Sequence, residues 1–198
     1  VRVTPVAGDG QQGTVGQPLA DSLVVRVVGA GGAPLAGRRV AFEGTAAGDL
    51  APDTARTDAE GRASARWVLG TVAGSQMATA KVTDTTATPA NFAAEAMPGA
   101  ANAIASAGGD GQGAARSTTL PDPLVVKVTD RFGNPVAGVD VSWRVTRGGG
   151  SLSDSHTATG ADGRASVRWT LGESGRQQVT ASASRLAGSP VQFSATIS

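Results

Sequence analysis

Wherever the alternation of apolar and polar residues can be read along this chain, its period is two. In LVVRV, Leu23, Val25 and Val27 share one face and Arg26 takes the other. VDVSWRV sets Val139, Val141, Trp143 and Val145 against Asp140, Ser142 and Arg144. RASVRWTL sets Ala165, Val167, Trp169 and Leu171 against Arg164, Ser166, Arg168 and Thr170, and VQFSATI alternates in the same way. This is the pattern of strands with one face buried and one in water, as in antiparallel sheets. No segment keeps a helical period. GAGGAPLAG and DRFGNPVAG punctuate the strands, and TDAEGR and GADGR read as tight turns before the Trp-bearing strands. For the first half the pattern predicts strands over 1–7, 22–29, 38–44, 53–57, 62–69, 76–83 and 90–97.

The second half repeats the first. GDGQQGTVGQPLADSLVVRV begins at Gly8 and GDGQGAARSTTLPDPLVVKV at Gly109. With Gly8 laid on Gly109, Leu23–Val27 fall on Leu124–Val128, and Gly32, Pro34 and Gly37 fall on Gly133, Pro135 and Gly138. A one-residue slip brings EGRASARWVLG onto DGRASVRWTLG, then closes again so that Phe92 meets Phe193. A repeat of about 100 residues is too long for a solenoid unit of about 20–50 and has the size of a complete small domain. The chain therefore reads as two tandem domains, 1–97 and 98–198, joined near MPGAANA. About seven short strands in about 100 residues predict an all-β fold, an immunoglobulin-like β-sandwich in each copy. The large residues at matching positions are the expected structural core: Phe42 with Trp143, Trp67 with Trp169, and Phe92 with Phe193.

Composition narrows the function classes. The 198 residues include no cysteine, which removes disulfides and thiolate metal sites. The 17 basic and 16 acidic residues are scattered singly, without the basic run that tracks phosphates or anionic membranes. No apolar stretch approaches the 18 or more residues of a membrane helix. A start at Val1 without a signal peptide reads as a mature or excised piece of something longer.

VTDRFGNPVAGVDVSWRVTRGGGSLS, ATGADGRASVRWTLG and QQVTASA resemble the group 1 bacterial immunoglobulin-like domain, the repeat of invasin and intimin adhesins and of many large bacterial surface proteins. The second copy is the closer match. The first departs where Gly31 and Ala33 replace Phe132 and Asn134, and where EGTAAG replaces RVTRGGG. The resemblance implies an extracytoplasmic bacterial protein, at the cell surface, secreted or periplasmic. In such proteins these domains act as stalks, spacers or binding tips, and they carry no catalytic residues. It implies a protein partner, either a host or surface protein or a membrane-anchored assembly, with room for further repeats of the same chain. Neither nucleic acid nor direct membrane insertion is expected. Two other readings are a periplasmic accessory subunit docked on a membrane complex and a carbohydrate-binding appendage of a secreted enzyme.

The candidate chemistry is sparse, and no enzyme is expected. His156 is the single histidine; its DSH context has triad letters, but adjacency in sequence is not triad geometry, and a solvated loop histidine is predicted. Asp58, Glu60 and Asp162 lie in predicted turns, and Asp9 and Asp110 in the paired GDGQ segments. Calcium needs about 6–8 oxygen ligands, and Asp58 becomes Gly160 in the second copy, so turn chemistry is predicted and no metal or cofactor. The glycine-rich GGDGQG and RGGGS lack the helix and lysine of a phosphate loop. Arg62, Arg66, Arg164 and Arg168 line the outer face of the Trp strands, where the balanced charge predicts scattered ion pairs. Phe132 tips a turn in the second copy only and is the candidate interaction residue.

Overall fold

The structure is a computed structural model and describes every residue except Ala46, Ala47 and Ser174. Ala46 and Ala47 belong to the EGTAAG stretch where the copies diverge, so that part of the comparison lies outside the described residues. The chain divides into two compact units, Val1–Pro98 and Gly99–Ser198, and its regular structure is entirely β. The first unit holds β1 (Arg2–Ala7), β2 (Gln11–Thr14), β3 (Leu23–Val28), β4 (Arg39–Gly44), β5 (Asp49–Ala51), β6 (Thr54–Arg56), β7 (Arg62–Val68), β8 (Gly74–Val82) and β9 (Ala90–Met97). Its two sheets have the strand orders β1-β3-β7-β5 and β2-β9-β8-β4-β6.

The second unit holds β10 (Ala103–Gly108), β11 (Gln112–Ala114), β12 (Leu124–Thr129), β13 (Asp140–Arg147), β14 (Gly150–Leu152), β15 (His156–Ala158), β16 (Arg164–Val167), β17 (Trp169–Leu171), β18 (Gln177–Ser182) and β19 (Val191–Ile197). The larger sheet, β11-β19-β18-β13-β15, repeats that of the first unit. The smaller is written in two pieces, β10-β12-β16 and β14-β17. The break falls at Arg168, whose backbone N–H donates to the Ser153 hydroxyl at 3.1 Å instead of to a neighbouring strand.

The map of seven strands per copy is thus too short. QQGT and DLA, which form β2 and β5, have no apolar alternation to betray them. β2 lies parallel to β9 while β1 lies antiparallel to β3, so the chain crosses from one sheet to the other between Ala7 and Gln11, along GDG. β11 and β10 repeat the crossing.

Each unit has its own core. Trp67 and Trp169 are fully buried, and Phe42, Phe92, Trp143 and Phe193 lie buried around them. The Trp143 and Phe193 rings are 6.0 Å apart and tilted by 35°. Trp143 Nε1–H donates to Thr157 Oγ1 at 2.8 Å. The first unit has Phe42 and Ala55 in these places, a ring with no donor beside a residue with no acceptor. The indole N–H groups of Trp67 and Trp169, by contrast, have no partner among the described residues.

The one-residue slip has a physical site. β13 pairs with β18 in regular register to Val145, then skips Thr146 to pair Arg147 with Gln178. Thr146 is therefore the extra residue, absorbed as a β-bulge. The slip closes between Gly70 and Gln76, where the first unit has one residue more than the second.

Candidate functional site

The GDGQ motifs are the most conspicuous polar repeat, and the structure uses them internally. Asp9 Oδ1 accepts the Ala93 N–H at 2.8 Å, and Asp110 Oδ1 accepts the Ser194 N–H at 2.8 Å. The Gln11 side chain donates to the carbonyls of Gly8 and Asp21 at 2.8 and 2.9 Å and accepts the Asp21 N–H at 2.9 Å. Gln112 makes the same three bonds to Gly109 and Asp122. Gly8 and Gly109 have φ of 91° and 84°, and a side chain on either would collide with the main chain at Ser22 or Pro123. The motif is a staple that holds the strand crossing. The hairpin acids act likewise: Asp58 Oδ1 accepts the N–H groups of Glu60 and Arg62 at 3.0 and 2.7 Å, and Asp162 Oδ1 accepts that of Arg164 at 3.0 Å. Among the described residues no three His, Asp or Glu side chains group so as to hold a metal ion.

Two further clamps escape sequence reasoning. Gln76 is buried; it accepts the Gly70 N–H at 2.8 Å and donates to the Val72 carbonyl at 2.9 Å. Gln177, equally buried, accepts the Gly172 N–H at 3.0 Å and donates to the Gly148 carbonyl at 3.2 Å. Thr57 donates to the Leu35 carbonyl at 2.6 Å and Thr159 to that of Val136 at 2.7 Å. The available signal was a glutamine at the same place in both copies and in phase with the apolar residues that follow it: Ala78, Ala80 and Val82 in one, Val179 and Ala181 in the other.

His156 lies at the start of β15 rather than in a loop, and it is exposed. Its strand neighbour is Ser142, and Asp140 lies two residues back along β13. Serine, histidine and aspartate thus meet, though not through the DSH letters. Nδ1 lies 3.3 Å from Ser142 Oγ and 3.2 Å from Asp140 Oδ2. Both contacts use one ring nitrogen, whereas a triad needs the nucleophile on one nitrogen and the carboxylate on the other.

The DRFGNP turn is the most elaborated polar feature. Asp130 is only 2% exposed. Its Oδ1 accepts the N–H groups of Phe132 and Asn134 at 2.8 and 2.9 Å. Its Oδ2 accepts Asn134 Nδ2–H and the Gly99 N–H, each at 2.9 Å. Burial is the largest single influence and raises its pKa, but the hydrogen bonds from Asn134, Gly99 and Phe132 together outweigh it and hold the carboxyl below its ordinary value. The network presents Phe132 at 39% exposure, with the Arg131 guanidinium 4.5 Å above its ring. Of the four arginines expected in ion pairs, only Arg164 has one among the described residues, to Asp162 at 3.9 Å. The shorter pairs, Arg38–Asp84 at 2.7 Å and Lys81–Glu43 at 2.9 Å, lie elsewhere.

Paired antiparallel sheets with a strand crossing near the N-terminus define each unit as an immunoglobulin-like sandwich. Residues 121–196, about three quarters of the second unit, match the bacterial Ig-like domain (group 1) family, and the first unit repeats the strand order of the second unit's larger sheet, so the chain carries two Ig-like sandwiches in tandem. The fold is similar to that of FdeC, an Escherichia coli adhesin, with a TM-score of 0.58 and 20% identity over 99% of this chain and 63% of that one. It is similar to Yersinia pseudotuberculosis InvD, with a TM-score of 0.54 and 17% identity over 100% of this chain and 57% of that one. The D0-D1 domain of intimin aligns over 98% of this chain and 94% of its own, at 22% identity and a TM-score of 0.37. The chain therefore spans less than two thirds of the FdeC and InvD chains. Comparison with curated proteins finds no match.

Proposed function

We propose that this chain is a non-enzymatic structural and adhesion module, exposed outside the bacterial cytoplasm, that spaces and presents a protein-binding surface. One observation carries the reading. The polar motifs that recur in both copies (the GDGQ staple, the hairpin Asp, the Gln and Thr clamps) bond to their own domain's backbone, whereas Phe132, which the second copy alone has, lies exposed at a turn tip. The role described for FdeC, an adhesin, is carried over here as part of the proposal. Phe132 is the contact residue this reading favours, because a buried network fixes it in place before any partner arrives. All three tryptophans are buried and the chain has no tyrosine, which leaves Phe132 as the one exposed aromatic among the described residues and disfavours a carbohydrate-binding appendage that stacks sugar rings on aromatic platforms.

The test is protease treatment of intact cells of the source bacterium, followed by isolation in mild detergent. The proposal expects the chain to be cut from intact cells and to co-purify with no membrane protein in fixed ratio. Protection until the outer envelope is opened, with a stoichiometric membrane partner, would establish the accessory-subunit reading instead.

A further inference from the structure

The outer face of the smaller sheet carries a charge arrangement that folding does not require. β3 and β7 pair so that Arg26 stands directly opposite Arg62. β1 adds Arg2 to the same face and Arg66 lies further along β7; all four arginines are exposed. The second unit repeats the pair as Lys127 opposite Arg164, with Arg168 beyond. Like charges directly opposite each other destabilise a sheet, so stability does not explain their presence in both copies. The larger sheet of the first unit pairs Arg39 with Arg56, but Asp140 and Ala158 take those places in the second, so that pair is not repeated.

The nearby acids leave the basic row largely unneutralised. Asp58 Oδ1 is held by the N–H groups of its turn, and Arg26 Nε donates to the Glu60 main-chain carbonyl at 3.3 Å. Asp49, at the β5 edge, makes no ion pair among the described residues. Among the same residues no carboxylate pairs with Arg2, Arg26, Arg62, Arg66, Lys127 or Arg168. Beside Arg62 the face is hollowed by a groove of about 210 Å³ lined by Val24, Asp58, Arg62, Ala63 and Ser64. The outward side chains between the charges are small or aliphatic: Thr4, Val24 and Ser64 in the first unit, Ala105, Val125 and Ser166 in the second. No aromatic stands among them, so the face offers charge without the stacking platform a single-stranded nucleic acid uses.

We infer that the smaller sheet of each unit binds an anionic polysaccharide, with its sulfate or carboxylate groups taken by Arg26 and Arg62 in the first unit and by Lys127 and Arg164 in the second. The inference does not depend on the protein-binding role proposed above. The probe is heparin, with neutral dextran as the blank, titrated against the full chain over a range of salt. Heparin binds at low salt and dextran does not. Arg26→Thr/Arg62→Thr weakens the first unit's site roughly tenfold at low salt and lowers that site's slope of log affinity against log salt by about two. About half of the tight heparin sites per chain are thus lost while the second unit's site is unchanged, and Lys127→Thr/Arg164→Thr does the converse. Neither variant melts earlier than the parent, because each loses a repulsion. At about 0.15 M salt, where the Debye length is about 8 Å, Arg39→Thr/Arg56→Thr on the other sheet, with the same loss of charge, changes heparin affinity by no more than about twofold. No heparin binding at low salt, or an equal loss in the Arg39/Arg56 variant, overturns the inference. Tighter binding of duplex DNA than of heparin also overturns it and assigns the face to nucleic acid.

Discussion

The same turn is built twice in this molecule with different side chains. In the first unit the Gly29 N–H donates to the Ala33 carbonyl at 2.9 Å and the Gly32 N–H to the Gly29 carbonyl at 3.0 Å. In the second, the Asp130 N–H donates to the Asn134 carbonyl at 2.9 Å and the Gly133 N–H to the Asp130 carbonyl at 3.1 Å. The backbone is the same, so the aspartate, phenylalanine and asparagine are not what shapes it. They add rigidity, an exposed aromatic and a tie to Gly99 at the start of the unit. The core shows the same logic: Trp143 comes with Thr157, and Phe42 comes with Ala55. Apart from the opposed basic pairs, what the two copies share is what the fold needs; what one adds must serve stability or binding, and mutation can separate these.

The largest effect tests what the copies share. Trp67→Ala and Trp169→Ala each empty a fully buried site, and such truncations cost roughly 3–5 kcal/mol. Against a stability of about 5–15 kcal/mol, each variant unfolds its own unit or nearly so. Calorimetry of the full chain should show one of two transitions lost or shifted sharply down. A profile unchanged by Trp169→Ala would refute the equivalence of the two sites.

Next comes the addition in the second unit. Asp130→Ala leaves the N–H groups of Phe132, Asn134 and Gly99 without their carboxylate, at roughly 2–3 kcal/mol. The sign with pH follows from a folded-state pKa below the unfolded one. The contribution is complete above the unfolded value of about 3.9 and is lost as pH falls through the lower folded value. Acid titration should therefore lower the melting of the second unit more steeply than that of the first, which has Gly29 in this place. Asp130→Asn should abolish the difference, and an equal acid response in both units would show that Asp130 does not set it.

Replacing Gln76 or Gln177 by Leu comes third, at roughly 1–2 kcal/mol apiece in urea titrations, because each leaves a buried glycine N–H unpaired. A loss in one unit alone would break the reading of the two as one clamp used twice.

These positions also mark where the sequence could and could not be read. The long strands were legible because each buries one face against the other sheet, which forces the two-residue period. β2, β5, β11 and β14 were not, because a short strand can hold its place by main-chain pairing without apolar side chains. The glutamine clamps were hidden because a polar letter in apolar phase reads as an interruption. The place of His156 on β15 was hidden behind the DSH letters, because its contacts cross strands to Ser142 and Asp140 and not to its neighbours in sequence. The opposed Arg26 and Arg62 needed strand register, which no single strand's pattern contains.

The smallest effect asks whether the addition can be moved. Gly29 and Ala33 do not have positive φ, and a Cβ on Gly29 would meet only Leu35 Cδ2 at 3.7 Å and the Ala33 carbonyl at 3.9 Å, both ordinary contacts. Gly29→Asp with Ala33→Asn therefore fits the existing backbone. The new carboxylate reaches the N–H groups of residues 31 and 33 and the new amide, since the turn already has the geometry that Asp130 uses. Losing a glycine also narrows the unfolded ensemble. Together these raise the stability of the first unit by about 1 kcal/mol near neutral pH. The same graft should steepen the acid dependence of that unit's melting toward that of the second. If stability rises but the acid dependence does not steepen, the gain comes from the lost glycine alone and the introduced carboxylate has not joined the turn. A fall in stability would mean that side chains, not only main chain, set the shape of the DRFGNP turn.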